Sequence, residues 1–136
     1  MSIKKINFGV ACLGRIGWDY HCKQILKKKK NYNLVEVTDV SEERSQEEKE
    51  VLGCQAYTKF EDFLNHPNLE AVVIATPTHL HQEMTIKAIH KKLNILLEKP
   101  MASNEKEAKA MLKALKNKAI KFTINQPVRL SAYFQH

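Results

Sequence analysis

The feature that most constrains the fold is an apolar segment that runs directly into a glycine-containing turn, within residues 6–17. Ile6, Phe8 and Val10 alternate as in a β-strand, and the residues after the turn are typical of a helix. A strand, a tight turn and a helix in this order direct backbone N–H groups and the positive end of a helix dipole toward one point. The segment therefore predicts a turn that binds phosphate.

The turn is close to the dinucleotide-binding pattern G-x-G-x-x-G, but it reads Cys12-x-Gly14-x-x-Gly17. Gly14 would let a pyrophosphate approach the backbone, and Gly17 would let the helix pack closely on the strand. Cys12 stands where the chain must turn sharply, so we expect a departure from the usual geometry there. The residues of this turn predicted to bind a dinucleotide are Cys12, Leu13, Gly14, Arg15 and Ile16.

A carboxylate ends the second predicted strand, which covers residues 34–39. Asp39 follows Gly17 by 22 residues, near the spacing at which an acidic residue accepts hydrogen bonds from ribose hydroxyls. Taken alone, an aspartate here more commonly ends a strand or caps a helix, but together with the turn at Gly14 the ribose interpretation is favoured. Asp39 and Val40 are therefore predicted to bind NAD, with NADP possible because Ser41 could accommodate a phosphate.

Strand-like and helix-like segments alternate along the whole chain, with six of the first kind and five of the second. Strict alternation predicts parallel strands joined by right-handed crossovers. We therefore predict an α/β fold of Rossmann type, a doubly wound, mainly parallel six-stranded sheet with helices on both faces. Residues 1–125 form the dinucleotide-binding domain, and residues 126–136 form a C-terminal tail without clear periodicity.

Periodicity and cap residues give three expectations for the helices. The first helix spans residues 15–29, and the side chains predicted to be buried on it are Ile16, Ile25 and Leu26. Thr78 is expected to cap the helix after the fourth strand. Asn104 with Glu107 is typical of a capping pair for the last helix. The apolar stripe of that helix consists of Ala108, Met111, Leu112 and Leu115.

Chemically active residues follow the carboxyl ends of the predicted strands, where parallel sheets bind their ligands. They are Cys12–Gly14, Asp39, Thr76–Pro77, Glu98–Lys99 and Asn125–Gln126. The sequence thus predicts one ligand site along this edge of the sheet.

The composition of the chain argues for some classes of binding partner and against others. The 136 residues carry a net charge of +7, and Lys27–Lys30 form a basic run at the predicted end of the first helix. No aromatic residues interleave that run, which argues against nucleic-acid binding, and an anionic small ligand fits the charge equally well. No apolar stretch has membrane-spanning length and no signal-peptide pattern is present, which predicts a cytoplasmic protein without a membrane partner. The three cysteines are expected to be reduced, and no metal site is predicted.

These motifs together resemble the nucleotide-binding half of the glucose–fructose oxidoreductase, inositol dehydrogenase and MocA (Gfo/Idh/MocA) family. The resemblance covers residues 3–125 and rests on the turn, Asp39, Ala75–His81 and Glu98–Ala102. It implies hydride transfer between NAD(P) and a sugar or polyol hydroxyl, with Lys99 as the catalytic residue beside the nicotinamide. The cofactor-binding residues that it implies are Arg44, Ala75, Thr76, Pro77, His81, Glu98, Lys99 and Asn125.

Members of that family carry a second domain that supplies the substrate pocket, a catalytic histidine and usually the oligomer interface. The sequence resembles only the start of it, so the leading interpretation is a truncated cofactor-binding domain that is not competent alone. The alternative is a non-catalytic module that binds a dinucleotide or pairs with another subunit. Apolar residues in the tail predict association through the C-terminal region, as a homodimer or with an unknown partner. They are Val128, Leu130, Tyr133 and Phe134.

Overall fold

The six predicted strands form one sheet in which every neighbouring pair is parallel. The computed structural model describes residues 4–12 and 14–130. Its strands are β1 (Ile6–Ala11), β2 (Tyr32–Thr38), β3 (Gln55–Tyr57), β4 (Ala71–Ile74), β5 (Asn94–Glu98) and β6 (Phe122–Asn125). Their order is β3-β2-β1-β4-β5-β6, which confirms the predicted α/β, Rossmann-type, doubly wound sheet.

Helices cover both faces of this sheet and enclose two apolar cores. The helical segments are a π-helical segment (Ile16–Cys22), α1 (Lys23–Lys27), α2 (Glu42–Leu52), α3 (Phe60–Leu64), a 3₁₀ turn (Thr78–Leu80), α4 (His81–His90), α5 (Glu105–Leu115) and a second 3₁₀ turn (Pro127–Leu130). The first helix contributes to one core, and α3, α4 and α5 contribute to the other. Within residues 4–12 and 14–130, none of the helices is both long and apolar enough to cross a bilayer.

The strand order reverses between β1 and β4, which lie side by side at the centre of the sheet. Every residue of β4 is buried, as a strand covered on both faces requires. The chain leaves β1 toward one side and β4 toward the other, so a crevice opens beyond their carboxyl ends. The fold thus places the turn after β1 next to Ala75, whose N–H donates to the carbonyl of Ala11 at 3.0 Å.

A β-bulge interrupts the pairing of β1 with β2. The register shifts so that Phe8 faces Leu34 while Gly9 faces Glu36, which leaves an extra residue on β2. A Cβ on Gly9 would lie 2.5 Å from Cζ of Phe63, so only glycine leaves room for that ring. Glu36 is fully buried opposite Gly9, and neither of its carboxylate oxygens has a hydrogen-bond partner within the described ranges.

The prediction for the first helix was wrong in its geometry. Residues 16–22 are π-helical, and a wider turn changes which side chains face the sheet. Ile25 is buried as predicted, but Ile16 and Leu26 are 49% and 40% exposed. The side chain of His21 occupies the buried face instead.

The remaining helix predictions were partly right. Asn104 accepts a hydrogen bond from the N–H of Glu107, which confirms that capping pair. Thr78 makes no side-chain cap, because the chain enters α4 through a 3₁₀ turn. In α5 Met111 is fully buried, whereas Leu112 is 56% exposed and was wrongly assigned to the buried stripe.

Candidate dinucleotide-binding site

The turn after β1 forms with a cysteine in a conformation that normally selects glycine. Cys12 has a φ of +74°, in the left-handed region, and its N–H donates to the carbonyl of Thr38 at 2.8 Å. A Cβ on Gly17 would lie 1.8 Å from the carbonyl oxygen of Cys12, so the helix can approach the turn only because residue 17 is glycine. A Cβ on Gly14 would meet only the Sγ of Cys12, at 3.8 Å. Open space above Gly14 fits a group such as pyrophosphate that approaches the backbone.

Two cavities meet at this turn and together form a groove along the carboxyl edge of the sheet. One has a volume of about 490 Å³ and is lined by Cys12, Gly14, Arg15, Ile16, Ala75, Thr76 and Pro77. The other has a volume of about 390 Å³; Asp39, Val40 and Arg44 lie in its wall, and it shares Cys12, Thr76 and Pro77 with the first. The structure thus brings ten of the predicted site residues together. Leu13 lies outside the described residues.

Asp39 is held firmly at the end of β2. Its side chain is 3% exposed, Oδ1 accepts the N–H of Ser41 at 2.9 Å, and Oδ2 lies 3.5 Å from Nη1 of Arg44. Arg44 itself is half exposed in the cavity wall. A fixed carboxylate suits an acceptor for ribose hydroxyls, and the adjacent guanidinium is a planar cation that can cover a flat ring.

Glu98 joins three parts of the chain. Its Oε1 accepts hydrogen bonds from Nδ2 of Asn125 and from Nε2 of His21, each at 2.6 Å, and its Oε2 accepts the N–H of Lys99 at 3.3 Å. Burial raises the pKa of this carboxyl, but the hydrogen bonds from Asn125 and His21 outweigh burial and hold its pKa below the ordinary value. Glu98 is therefore an anion that fixes the end of β5.

His81 and Lys99 lie outside the walls of both cavities. His81 is 1% exposed, and its ring nitrogens lie 2.8 Å from the carbonyl oxygen of Thr76 and 2.9 Å from that of Pro100. Lys99 is exposed, and the Lys99–Pro100 peptide bond is cis. Asn125 lines a separate cavity of about 220 Å³. His81 thus contacts backbone carbonyls and lines neither cavity, and its role in cofactor binding stays a prediction.

Sequence reasoning missed two contributors to this region. Phe60 packs against the core and also lines the cavity beside Asp39. His21 was not considered, although it lies four residues after Gly17 in the helix that follows the turn. Its partner Glu98 is 77 residues away, so no local pattern connects them. No group of three or more His, Cys, Asp or Glu side chains able to hold a metal ion occurs in residues 4–12 and 14–130.

Replacing Cys12 with Gly should raise the free energy of unfolding. A non-glycine residue in the left-handed region costs about 1–2 kcal/mol, and the greater chain entropy of glycine offsets part of that gain, so we expect about 0.5–1 kcal/mol. Urea denaturation measures the change. Cys12→Ser keeps the strain and serves as the matched control; equal stability of the Gly and Ser variants would contradict the explanation.

Comparison with known proteins agrees with this geometry. Residues 6–126 match the sequence model of the Gfo/Idh/MocA family, described as an oxidoreductase family with an NAD-binding Rossmann fold. The chain belongs to the Gfo/Idh/MocA family. The resemblance inferred from its motifs is thereby confirmed, and so is the assignment of the chain as an NAD-binding Rossmann domain.

Two curated relatives of this chain are inositol dehydrogenases. The chain is 31% identical over 117 residues to scyllo-inositol 2-dehydrogenase (NAD(+)) of Bacillus subtilis, a match that covers 85% of this chain and 34% of the relative. It is 33% identical over 112 residues to myo-inositol 2-dehydrogenase of Thermotoga maritima, covering 82% and 33%. This chain therefore spans about a third of the length of these relatives.

A solved Gfo/Idh/MocA structure has the same fold. The WlbA dehydrogenase from Bordetella pertussis, crystallised with NADH and UDP-GlcNAcA, superposes with a TM-score of 0.91 at 30% identity. The match covers 97% of this chain and 40% of the WlbA chain. The likeness extends across nearly the whole chain described above.

Proposed function

We propose that this domain binds NAD(H) in the groove formed by the two cavities and serves the oxidation of a polyol or sugar hydroxyl in a larger protein or assembly. The observation that carries the proposal is that Asp39 and the turn after β1 line two adjoining cavities, which share Cys12, Thr76 and Pro77. A carboxylate at one end and exposed backbone at the other match the two ends of an adenosine diphosphate.

Each part of the groove has a distinct role in this proposal. The backbone N–H groups at the start of the π-helical segment face the pyrophosphate, because the first N–H groups of a helix have no partner within it. The carboxylate of Asp39 accepts hydrogen bonds from the adenosine ribose. Arg44 and Phe60 enclose the adenine, since both line the same cavity. Thr76 and Pro77 form the wall shared by the two halves.

Lys99 is the residue that we propose to act on the substrate. When bound, NAD⁺ would supply the acceptor for the hydride that leaves the carbon carrying the hydroxyl. In this proposal the amine of Lys99, which directly follows β5, holds or accepts the hydroxyl proton. Hydride transfer also requires the carbon to be held against the nicotinamide, and positioning of this kind contributes about 7–11 kcal/mol when complete. We propose that residues beyond these 136 provide it, so that this chain alone binds the cofactor without turnover.

Replacing Asp39 with Ala should weaken NADH binding by about 1–3 kcal/mol, because ribose hydroxyls lose their acceptor. Isothermal titration calorimetry with NADH and NADPH measures the affinities. The wild-type chain should prefer NADH, because the carboxylate repels a 2′-phosphate, and Asp39→Ala should reduce that preference. Glu42→Ala, an exposed acidic residue at the start of α2, is the matched control. Equal wild-type affinity for the two cofactors would refute the role of Asp39.

We propose that the chain associates through its C-terminal region. Val128 is 60% exposed just after β6, the last strand of the sheet. The other apolar side chains that support this proposal, Leu130, Tyr133 and Phe134, lie outside the described side chains. Light scattering of the purified chain should show a mass above that of a monomer, and Val128→Ser should shift it toward the monomer. A strictly monomeric wild-type chain at high concentration would refute the proposal.

A further inference from the structure

Two buried histidines contact the residues on either side of Lys99. Nε2 of His21 lies 2.6 Å from Oε1 of Glu98, the residue before Lys99. Nδ1 of His81 lies 2.9 Å from the carbonyl oxygen of Pro100, the residue after it. The two histidines are 4% and 1% exposed, so both rings are buried. The residues before and after Lys99 are therefore each held by a contact with a buried histidine.

Each histidine also belongs to a segment that forms the dinucleotide groove. His21 lies in the π-helical segment that begins at the turn, one helical turn beyond Gly17. The second nitrogen of His81, Nε2, lies 2.8 Å from the carbonyl oxygen of Thr76, which lines both cavities. The backbone around Lys99 is therefore connected to the pyrophosphate turn on one side and to the Thr76 segment on the other.

The chemistry of these contacts determines where the protons lie. A carboxylate accepts hydrogen bonds, so Nε2 of His21 must carry the proton that it shares with Glu98. Both partners of His81 are carbonyl oxygens, which also only accept. A neutral imidazole has a single N–H, and only the doubly protonated ring donates at both nitrogens. The contact with Pro100 is a hydrogen bond when Nδ1 of His81 carries a proton.

Taking NAD(H) binding in the groove as given, we propose that His21 and His81 are positioning residues that fix the main chain of Lys99 from both sides. Through them the dinucleotide-binding segments and the amine of Lys99 form one connected unit. His21 acts through Glu98, and His81 acts through the carbonyl of Pro100. Neither histidine touches the reacting atoms.

The first test measures how far NADH shields Lys99 from reductive methylation, quantified by mass spectrometry of the folded chain. Lys109 and Lys113, on α5, serve as internal references. In the wild-type chain NADH should slow methylation of Lys99. His21→Leu and His81→Leu should each lower that shielding by about fivefold, the size expected for one lost hydrogen bond, while NADH still binds through the adenosine half of the groove. His21→Gln retains an N–H donor and should restore the shielding.

The control variant is His79→Leu, which changes an exposed histidine in the 3₁₀ turn just before α4 and should leave shielding at the wild-type level. Shielding that is unchanged in both buried-histidine variants would overturn the inference. NADH binding by the wild-type chain without any shielding of Lys99 would also overturn it. If the wild-type chain fails to bind NADH, the proposed function itself fails, so the two failures are distinguishable.

A second measurement needs no variant and applies even if a leucine variant fails to fold. Two-bond ¹H–¹⁵N correlation spectra of the wild-type chain report the protonation of each ring nitrogen of a histidine. We expect N–H signals at Nδ1 of His81 and at Nε2 of His21. A His81 protonated only at Nε2, or a His21 protonated only at Nδ1, would overturn the role proposed for that histidine.

Discussion

Glu36→Gln should remove a large pH dependence from the stability of this domain. Burial raises the pKa of Glu36 from 4.5 to about 8, and neither carboxylate oxygen has a hydrogen-bond partner among the described residues. Below pH 4.5 the carboxyl is neutral in both states. Between pH 4.5 and 8 the unfolded chain loses this proton while the folded chain keeps it, so stability falls as the pH rises.

The expected size of this pH effect follows from the difference between the two pKa values of Glu36. Each pH unit corresponds to about 1.4 kcal/mol, so the wild-type chain should lose about 3–5 kcal/mol relative to Glu36→Gln between pH 4 and pH 9. Urea denaturation of both chains across this range measures the difference. Comparison at each pH cancels the contributions of the other titrating groups. Glu50→Gln, an exposed change on α2, should follow the wild-type curve.

Parallel curves for the wild-type chain and Glu36→Gln would contradict this account. They would mean that the carboxyl reaches water or a hydrogen-bond donor in solution. The difference in unfolding free energy between the two chains at any single pH carries less information. The amide introduced by Glu36→Gln is also buried, and it also needs hydrogen-bond partners.

Gly17→Ala should destabilise the domain by about 3–5 kcal/mol, near the upper end for a single substitution. The added Cβ would lie 1.8 Å from the carbonyl oxygen of Cys12 and 3.0 Å from its carbonyl carbon. Both atoms belong to the backbone, so no rotamer change can relieve the clash, and the helix must move away from the turn. Any folded fraction should also bind NADH more weakly, because the N–H groups that face the pyrophosphate move with the helix.

Gly14→Ala is the matched control for that experiment. Its Cβ would meet only a flexible thiol at 3.8 Å, so stability should change by less than about 1 kcal/mol. NADH affinity should nevertheless fall, because the new methyl group occupies the space that the pyrophosphate needs. Thermal unfolding and NADH titration of both variants separate the two effects. Equal destabilisation by the two substitutions would refute the assigned role of Gly17.

The sequence was most informative for features that depend only on residues close together in the chain. The buried strand at Ala71–Ile74, the turn at Cys12–Gly17 and the capping pair at Asn104 could all be predicted, because each depends on residues close together in the chain. Asp39 was found in the same way, from its place at the end of a strand. These local features were sufficient to predict the sheet and the groove.

What the sequence could not predict depends on contacts between distant segments or on an unusual helix. The π-helical segment exposes Ile16 and buries His21, a change that a regular helical period cannot anticipate. The contact of His21 with Glu98 connects residues far apart in the chain, and Glu36 is buried by packing that no pattern around it reveals. Side-chain partners across the fold therefore had to come from the structure.

The buried carboxyl of β2 also makes folding a proton-uptake reaction. Near neutral pH the unfolded chain presents Glu36 as a carboxylate, and the folded chain holds it as a neutral acid. One proton therefore enters the protein as the sheet assembles and returns to the solvent when the sheet opens. The heat of unfolding consequently includes the heat with which the surrounding buffer takes up that proton.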